Sequence, residues 1–185
     1  MTRYIAFLRA INVGGKQLVK MEDLRRSFES FGLKNVKTFI QCGNVFFDTA
    51  EANSDRLSLN IETRLRRVLG YEVKVLVRTL AELRALTRRS PFGSVKKDND
   101  VMLVVALLAE QPKLRPKLPL ESAKENLEVL AVRNRAAFIL CRRKKTGWFA
   151  FPNNFIEKVL AVPATTRQWK TLQRIVEAAS ADLDH

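Results

Sequence analysis

The stretch YIAFLRAINVGGK, from Tyr4 to Lys16, opens the series of elements that decides the fold. Its first half is apolar and predicts a strand from Tyr4 to Ala10, followed by a loop with two adjacent glycines. Glycines let a backbone approach another group closely, and the polar residues around them supply hydrogen-bond donors. We therefore predict a strand that leads into a ligand-binding loop, with the candidate residues Arg9, Asn12, Gly14, Gly15 and Lys16.

The elements that follow have the order β-α-β-β-α-β, which is the order of the ferredoxin-like plait. The patterns predict a helix over Met21–Phe31, a hairpin of strands Val36–Gln41 and Asn44–Phe47, a helix capped by Ser54 or Asp55 and closed by Gly70, and a strand over Val73–Val77. Residues 1–78 are therefore predicted to form a ferredoxin-like α+β domain.

Residues 79–185 predict a second α+β unit, with the plait as one option for its topology. The predicted elements are a helix from Thr79 to Arg89, a buried strand over Val101–Leu108, a hairpin of Leu127–Val132 and Ala136–Cys141, a short helix from Asn153 or Asn154, and a last helix capped by Thr165 or Thr166. No flexible linker separates the halves, so we expect the two domains to pack tightly.

The plait topology brings two distant polar segments together. In this fold the carboxyl end of the first strand and the β2–β3 hairpin lie at one edge of the sheet, so Arg9 should approach Gln41 and Asn44. Free backbone N–H groups near a helix start, beside Arg9 and Lys16, suit a phosphate or carboxylate. The alternative is that these glycines and amides serve only the turns. Neither a P-loop nor a dinucleotide fingerprint is present in the sequence.

Three motifs, YIAFLRAINVGGK, FIQCGNVFF (Phe39–Phe47) and PATTRQWKT (Pro163–Thr171), together resemble the family catalogued as domain of unknown function 1697. The resemblance extends over nearly the whole chain and implies a small, mainly bacterial protein without an established activity. Arg167 and Trp169 match the third motif, and each would either reach a ligand or fix the last helix. The chain departs from the family pattern at Ala10 (usually Gly), Cys42 (usually Ser) and Gln168 (usually Asn).

A net charge of +14 favours anionic partners. A small anionic ligand is the first hypothesis, and a nucleic acid bound by the basic surface is the alternative. The run Arg142–Lys145 is either part of such a surface or a solvated strand end. An RNA-recognition module is disfavoured because both faces of the first strand are apolar and Asn44 stands where a base-stacking aromatic is expected.

The chemistry-bearing residues argue against a hydrolase or a metalloenzyme. The single histidine is His185, and Cys42 and Cys141 are isolated, so no Ser-His, Cys-His or zinc pattern exists in the sequence. Asp98 and Asp100 suit a turn better than a cation site. We therefore expect no cofactor, a reducing cytoplasm, and no membrane span, because VMLVVALLA (Val101–Ala109) is too short. An enzyme of unidentified chemistry and the oligomeric state stay open.

Overall fold

The fold is taken from a computed structural model that describes residues 1–9, 11–12, 18–93, 95 and 98–181. Within these ranges it is a mixed α+β protein with two antiparallel sheets and five helices. The elements are β1 (Thr2–Leu8), α1 (Met21–Ser30), β2 (Lys34–Phe39), β3 (Asn44–Thr49), α2 (Ser54–Leu69), β4 (Val75–Thr79), α3 (Leu80–Thr87), β5 (Val101–Leu108), β6 (Leu120–Ser122), β7 (Leu127–Arg133), β8 (Ala136–Arg142), α4 (Asn153–Leu160), β9 (Ala164–Gln168) and α5 (Trp169–Ala181).

The first sheet has the strand order β2-β3-β1-β4, and each neighbouring pair is antiparallel. Helices α1 and α2 cover one face of it, where Phe28 and Leu65 are buried in the same cluster as Tyr4. The predicted cap of α2 is wrong by one position, because Asn53 precedes the helix and its Oδ1 accepts the backbone N–H groups of residues 55 and 56 at 3.0 and 2.9 Å. The predicted closure at Gly70 is confirmed, with a φ of 78°.

Both faces of β1 are buried. Tyr4 lies on the face that the two helices cover, whereas Ile5 and Phe7 alternate with it on the opposite face and are each 0% exposed. The neighbouring strand behaves in the same way, since both Phe46 and Phe47 are buried. The sheet therefore offers no open aromatic face on which bases could stack, as the sequence pattern predicts.

The second sheet has the order β6-β7-β8-β5-β9, again antiparallel throughout. The prediction that Thr165 or Thr166 caps the last helix is wrong. Both residues lie in β9, which pairs with β5 in a register that sets Thr166 opposite Ala106, and α5 begins at Trp169. β-Branched threonines suit such an edge strand, although their polarity resembles that of a cap.

The chain divides into two units. The first comprises Met1–Ala85 and the chain from Ile175 onward, and the second comprises Leu86–Arg174. Helices α3 and α5 each contribute residues to both units. The predicted domains, 1–78 and 79–185, and their tight packing stay predictions. In the part of the chain that the structure describes, no helix is long and apolar enough to cross a bilayer.

Candidate functional site

The end of β1 meets the β2–β3 turn at one corner of the first unit. The Leu8 N–H donates to the carbonyl of Gly43 at 2.8 Å. Gly43 has a φ of 67°, and a Cβ added there would lie 2.9 Å from the Leu8 Cβ and 3.6 Å from that of Ile11. Glycine is needed here for both its conformation and its small size. We call this place the corner; it brings together the two segments that carry the predicted site residues Arg9, Asn12, Gln41 and Asn44.

Two of the predicted site residues hold the backbone at the corner. Asn12, with a φ of 57°, donates through Nδ2 to the carbonyls of Val19 at 3.0 Å and Gln41 at 3.3 Å, and its Oδ1 accepts the Val19 N–H at 2.7 Å. Asn44 is fully buried and donates through Nδ2 to the Phe39 carbonyl at 3.1 Å. These contacts favour the turn interpretation for both side chains.

The other predicted residues of the corner divide into two groups. Arg9 is half-buried, and its backbone N–H donates a hydrogen bond to the Lys74 carbonyl at 2.8 Å. Gln41 is exposed. Gly14, Gly15 and Lys16 lie outside the described residues. Gln41 is therefore accessible to a ligand at the corner.

Arg167 and Trp169 belong to the second unit. The Arg167 Nη1 donates to the Thr165 Oγ1 at 3.1 Å and to the Thr166 carbonyl at 2.8 Å, within its own strand. Trp169 is 7% exposed and packs edge to face on Phe92 and Phe138, with ring centroids 5.4 and 6.0 Å away. Trp169 is thus a core residue, and the described contacts of Arg167 stabilise β9.

A cavity of about 300 Å³ lies in the second unit and is lined by three arginines, Arg115, Arg133 and Arg135. We call it the arginine cleft. Its remaining walls are apolar or neutral, and none of its described lining residues is Asp or Glu; they are Gln111, Pro112, Leu114, Pro116, Leu118, Val132 and Leu160. The cleft therefore combines positive charge with an apolar surface.

The β7–β8 turn places two of these arginines. Asn134 and Arg135 have φ values of 52° and 53°, which is the conformation of a tight two-residue hairpin. Arg133, at the end of β7, lies with its guanidinium 5.4 Å from the Phe138 ring centroid and donates through Nη2 to the Arg89 carbonyl at 3.3 Å. The sequence predicts this turn, but only the fold shows that Arg115, from a proline-rich loop, lines the same cavity.

A second basic place is a shallow depression of about 460 Å³ beside the run Arg142–Lys145. Arg143 is held there by several groups: its Nε lies 2.8 Å from the Asp100 Oδ1, its Nη2 donates to the Asn99 carbonyl at 2.6 Å, and its guanidinium lies over the Phe149 ring. Lys144 forms an ion pair with Glu125 at 3.1 Å. These two cations therefore stabilise the end of the hairpin.

Two large aromatic side chains follow this basic run on the surface. Trp148 is 77% exposed and Phe151 is 79% exposed, whereas Phe149 between them is half-buried. Their exposure is not expected from the sequence, because an apolar segment such as WFAF usually indicates a core. The mixture of lysines, arginines and aromatics was visible in the sequence, and with the aromatics exposed it is the pattern of a nucleic-acid surface.

The family model described as "Protein of unknown function (DUF1697)" matches residues 1–138 of the chain. The chain belongs to this family. The resemblance to this family is thereby confirmed over residues 1–138, which contain the first two sequence motifs. No curated protein matches the chain closely enough to count as a relative.

A solved structure is similar to this DUF1697 protein over nearly its whole length. It is that of the conserved bacterial protein SP0830 from Streptococcus pneumoniae, with a TM-score of 0.60 and 21% sequence identity. The match covers 96% of this chain and 98% of the other. At that identity the likeness concerns the fold, and it supports the mixed α+β architecture.

Groups suited to nucleophilic or metal chemistry are sparse in the described part of this DUF1697 protein. Burial raises the pKa of the Cys141 thiol to about 12, so this group is protonated at neutral pH. Cys42 is exposed at the β2–β3 turn. No group of three or more His, Cys, Asp or Glu side chains among the described residues could hold a metal ion.

Proposed function

We propose that this protein binds a small anionic ligand, bearing phosphate or carboxylate, in the arginine cleft. The observation that carries the proposal is that Arg115, Arg133 and Arg135 all line one cavity of about 300 Å³ without a carboxylate among its described walls. This volume is at the lower end of the range of ligand pockets, roughly 300–1,000 Å³. The ligand is therefore a small molecule.

The chemistry of the cleft narrows the class of ligand. A guanidinium presents paired N–H donors that match phosphate and carboxylate oxygens, and each charge-assisted contact contributes roughly 1.5–3 kcal/mol. Leu118, Val132 and Leu160 supply apolar walls beside these donors. An anion attached to a small apolar body, such as an aryl or alkyl phosphate, satisfies both parts of the surface.

The corner of the first unit is a second place for an anion. Arg9 and the glycine loop that follows it were predicted to bind one there, and the meeting of β1 with the β2–β3 turn supports this placement. Of the predicted residues there, Asn12 and Asn44 hold the backbone, and the cationic Arg9 and the exposed Gln41 would contact the ligand. The two places make different predictions for the same substitution experiment.

Binding of phenyl phosphate, pyrophosphate and inorganic phosphate, measured by isothermal titration calorimetry, tests the proposal. We expect Arg115→Ala to weaken binding about tenfold or more, while Arg67→Ala, an exposed arginine of α2, leaves it unchanged. If Arg9→Ala weakens binding and Arg115→Ala does not, the ligand lies at the corner. If none of the three compounds binds at millimolar concentration, the proposal is wrong.

We also propose a specific topology for the first unit, a cellular location and a bacterial source. The strand order β2-β3-β1-β4, with α1 and α2 on one face, supports a ferredoxin-like plait for the first unit. The free state of both cysteines supports a cytoplasmic location. The resemblance to a mainly bacterial family supports a bacterial source for this protein.

A further inference from the structure

The surface at the end of β8 combines exposed rings with exposed cations. It consists of Arg142, Lys145, Trp148 and Phe151, all of them exposed, and we call it the basic–aromatic surface. Burying an aromatic ring is strongly favourable, so two such rings left open to solvent near each other indicate an interaction site. None of these residues lines the arginine cleft, and the inference is independent of the small-ligand proposal.

The turn that carries Trp148 is fixed by its own hydrogen bonds. The Gly147 N–H donates to the Lys144 carbonyl and the Lys144 N–H donates to the Trp148 carbonyl, each at 2.8 Å. Gly147 has a φ of 83°, which suits glycine. Arg143 braces the turn from outside by donating through Nη1 to the Gly147 carbonyl at 3.0 Å. The indole is therefore presented on an ordered turn, which lowers the entropy lost on binding.

The cations of this segment have two different roles. Arg143 and Lys144 form ion pairs with Asp100 and Glu125. Arg142 and Lys145 are exposed and form no ion pair within the described residues. Their side chains are thus available to an external anion, and they stand in the same short segment as the exposed rings.

We propose that the basic–aromatic surface binds single-stranded nucleic acid, with bases stacked on Trp148 and Phe151 and phosphates held by Arg142 and Lys145. Stacking on a protein ring requires an unpaired base, which a duplex does not offer. Trp148 and Phe151 are three residues apart, so their Cα atoms lie within about 11 Å, a span that a few nucleotides cover.

The arrangement of the rings favours nucleic acid over a protein partner. Phe149 is half-buried beneath Arg143 and Ala150 is buried, so the exposed rings do not merge into one continuous apolar patch. Separate rings among cations match the alternation of bases and phosphates along a strand. The net charge of +14 adds long-range attraction for a polyanion.

Tryptophan fluorescence and anisotropy together test this proposal on the full chain. Trp169 is packed between Phe92 and Phe138, so a quencher that stacks on an exposed ring acts on Trp148. Addition of a 15-nucleotide oligothymidine at low salt should quench the emission saturably, in parallel with the anisotropy of a labelled strand. A duplex of the same length should bind more weakly and quench less.

Substitutions separate stacking from bulk charge. Trp148→Ala should weaken binding about 5- to 150-fold and Trp148→Phe should restore part of the loss, whereas Leu59→Ala, an exposed apolar residue of α2, should change nothing. Removing both exposed cations, with Arg142→Ala and Lys145→Ala, should reduce the slope of log K against log salt by roughly 0.7 per phosphate contact.

Several results would overturn the proposal. They are absence of binding at low salt, binding that Trp148→Ala and Trp148→Phe leave unchanged, or equal binding and quenching by duplex and single strand. Quenching by vesicles of anionic lipid, without quenching by the oligonucleotide, would assign the surface to a membrane instead. Circular dichroism of each variant establishes that it is folded, and no large change is expected because Trp148 is exposed.

Discussion

A buried ion pair across the first sheet gives a stability prediction that can be worked from distances. Arg3 and Asp48 are direct partners across β1 and β3, with the Nε and Oδ1 atoms 2.8 Å apart and side chains only 4% and 9% exposed. The second carboxylate oxygen accepts the Asn35 Nδ2 at 2.7 Å. Asp48→Ala would therefore leave a buried guanidinium without its carboxylate and an amide without its acceptor.

Asp48→Ala is expected to lower the free energy of unfolding by about 3–5 kcal/mol. Removing one partner of a buried ion pair leaves the other charge desolvated without its counter-charge. Replacing both partners, in Arg3→Met with Asp48→Leu, removes the charges together and should leave the free energy of unfolding within about 1 kcal/mol of the wild type, or above it. The exposed pair of Arg66 and Glu72, 3.2 Å apart, is the matched control, and Glu72→Ala should cost no more than about 0.5 kcal/mol.

Urea denaturation followed by circular dichroism measures these free energies of unfolding. The denaturation curves also show whether the two units unfold in one transition, which a single free energy of unfolding requires. A loss below about 1 kcal/mol for Asp48→Ala would refute the reasoning, because it would mean that water reaches the pair. A double variant as unstable as the single one would refute it as well, since the loss would then reflect packing and not charge.

Three further predictions concern particular groups. Gly43→Ala should lower the free energy of unfolding by at least about 1 kcal/mol in urea titrations, because its φ is 67° and its Cβ would lie 2.9 Å from that of Leu8; an unchanged midpoint would contradict this. Cys42 should react with a thiol reagent in the native protein and Cys141 only after unfolding, since the latter is buried with a pKa raised to about 12; rapid native reaction of both would be inconsistent with the fold. Burial, followed by nearby carboxylates, raises the pKa of Tyr4 above 10.0, so its neutral form stabilises the folded state below that pH and this contribution is lost as the pH rises through the folded-state value. Tyr4→Phe should therefore reduce the alkaline fall in stability, and an unaltered pH profile would count against it.

Local patterns in the sequence carried enough information for most of the first unit. Apolar spacing and glycine stops predicted α1, α2 and the β2–β3 hairpin, and the order of elements brought the end of β1 to the turn at Gly43. The strand β9 was missed because its partner, β5, lies more than fifty residues away in the chain, and TTRQ has no apolar alternation. Such an edge strand is decided by long-range pairing and not by its own residues.

The candidate sites were less accessible to sequence reasoning. The polarity of Asn12 and Asn44 is equally compatible with ligand binding and with backbone support, and only the geometry shows their bonds to carbonyl groups. Arg115 and Arg133 are brought to one cavity by the fold of the second unit. The exposure of Trp148 is determined by the turn that carries it. The sequence around this turn has no hydrophobic periodicity that would indicate which side chains face solvent.

The arginine cleft is tested most directly by arginine Nε–Hε resonances in ¹H–¹⁵N spectra during titration with phenyl phosphate, with each signal assigned by substitution. The account predicts that the resonances of Arg115, Arg133 and Arg135 shift together and follow one binding isotherm, while that of Arg67 stays in place. Shifts confined to Arg9, or no saturable shift at any of the three cleft arginines, would contradict it.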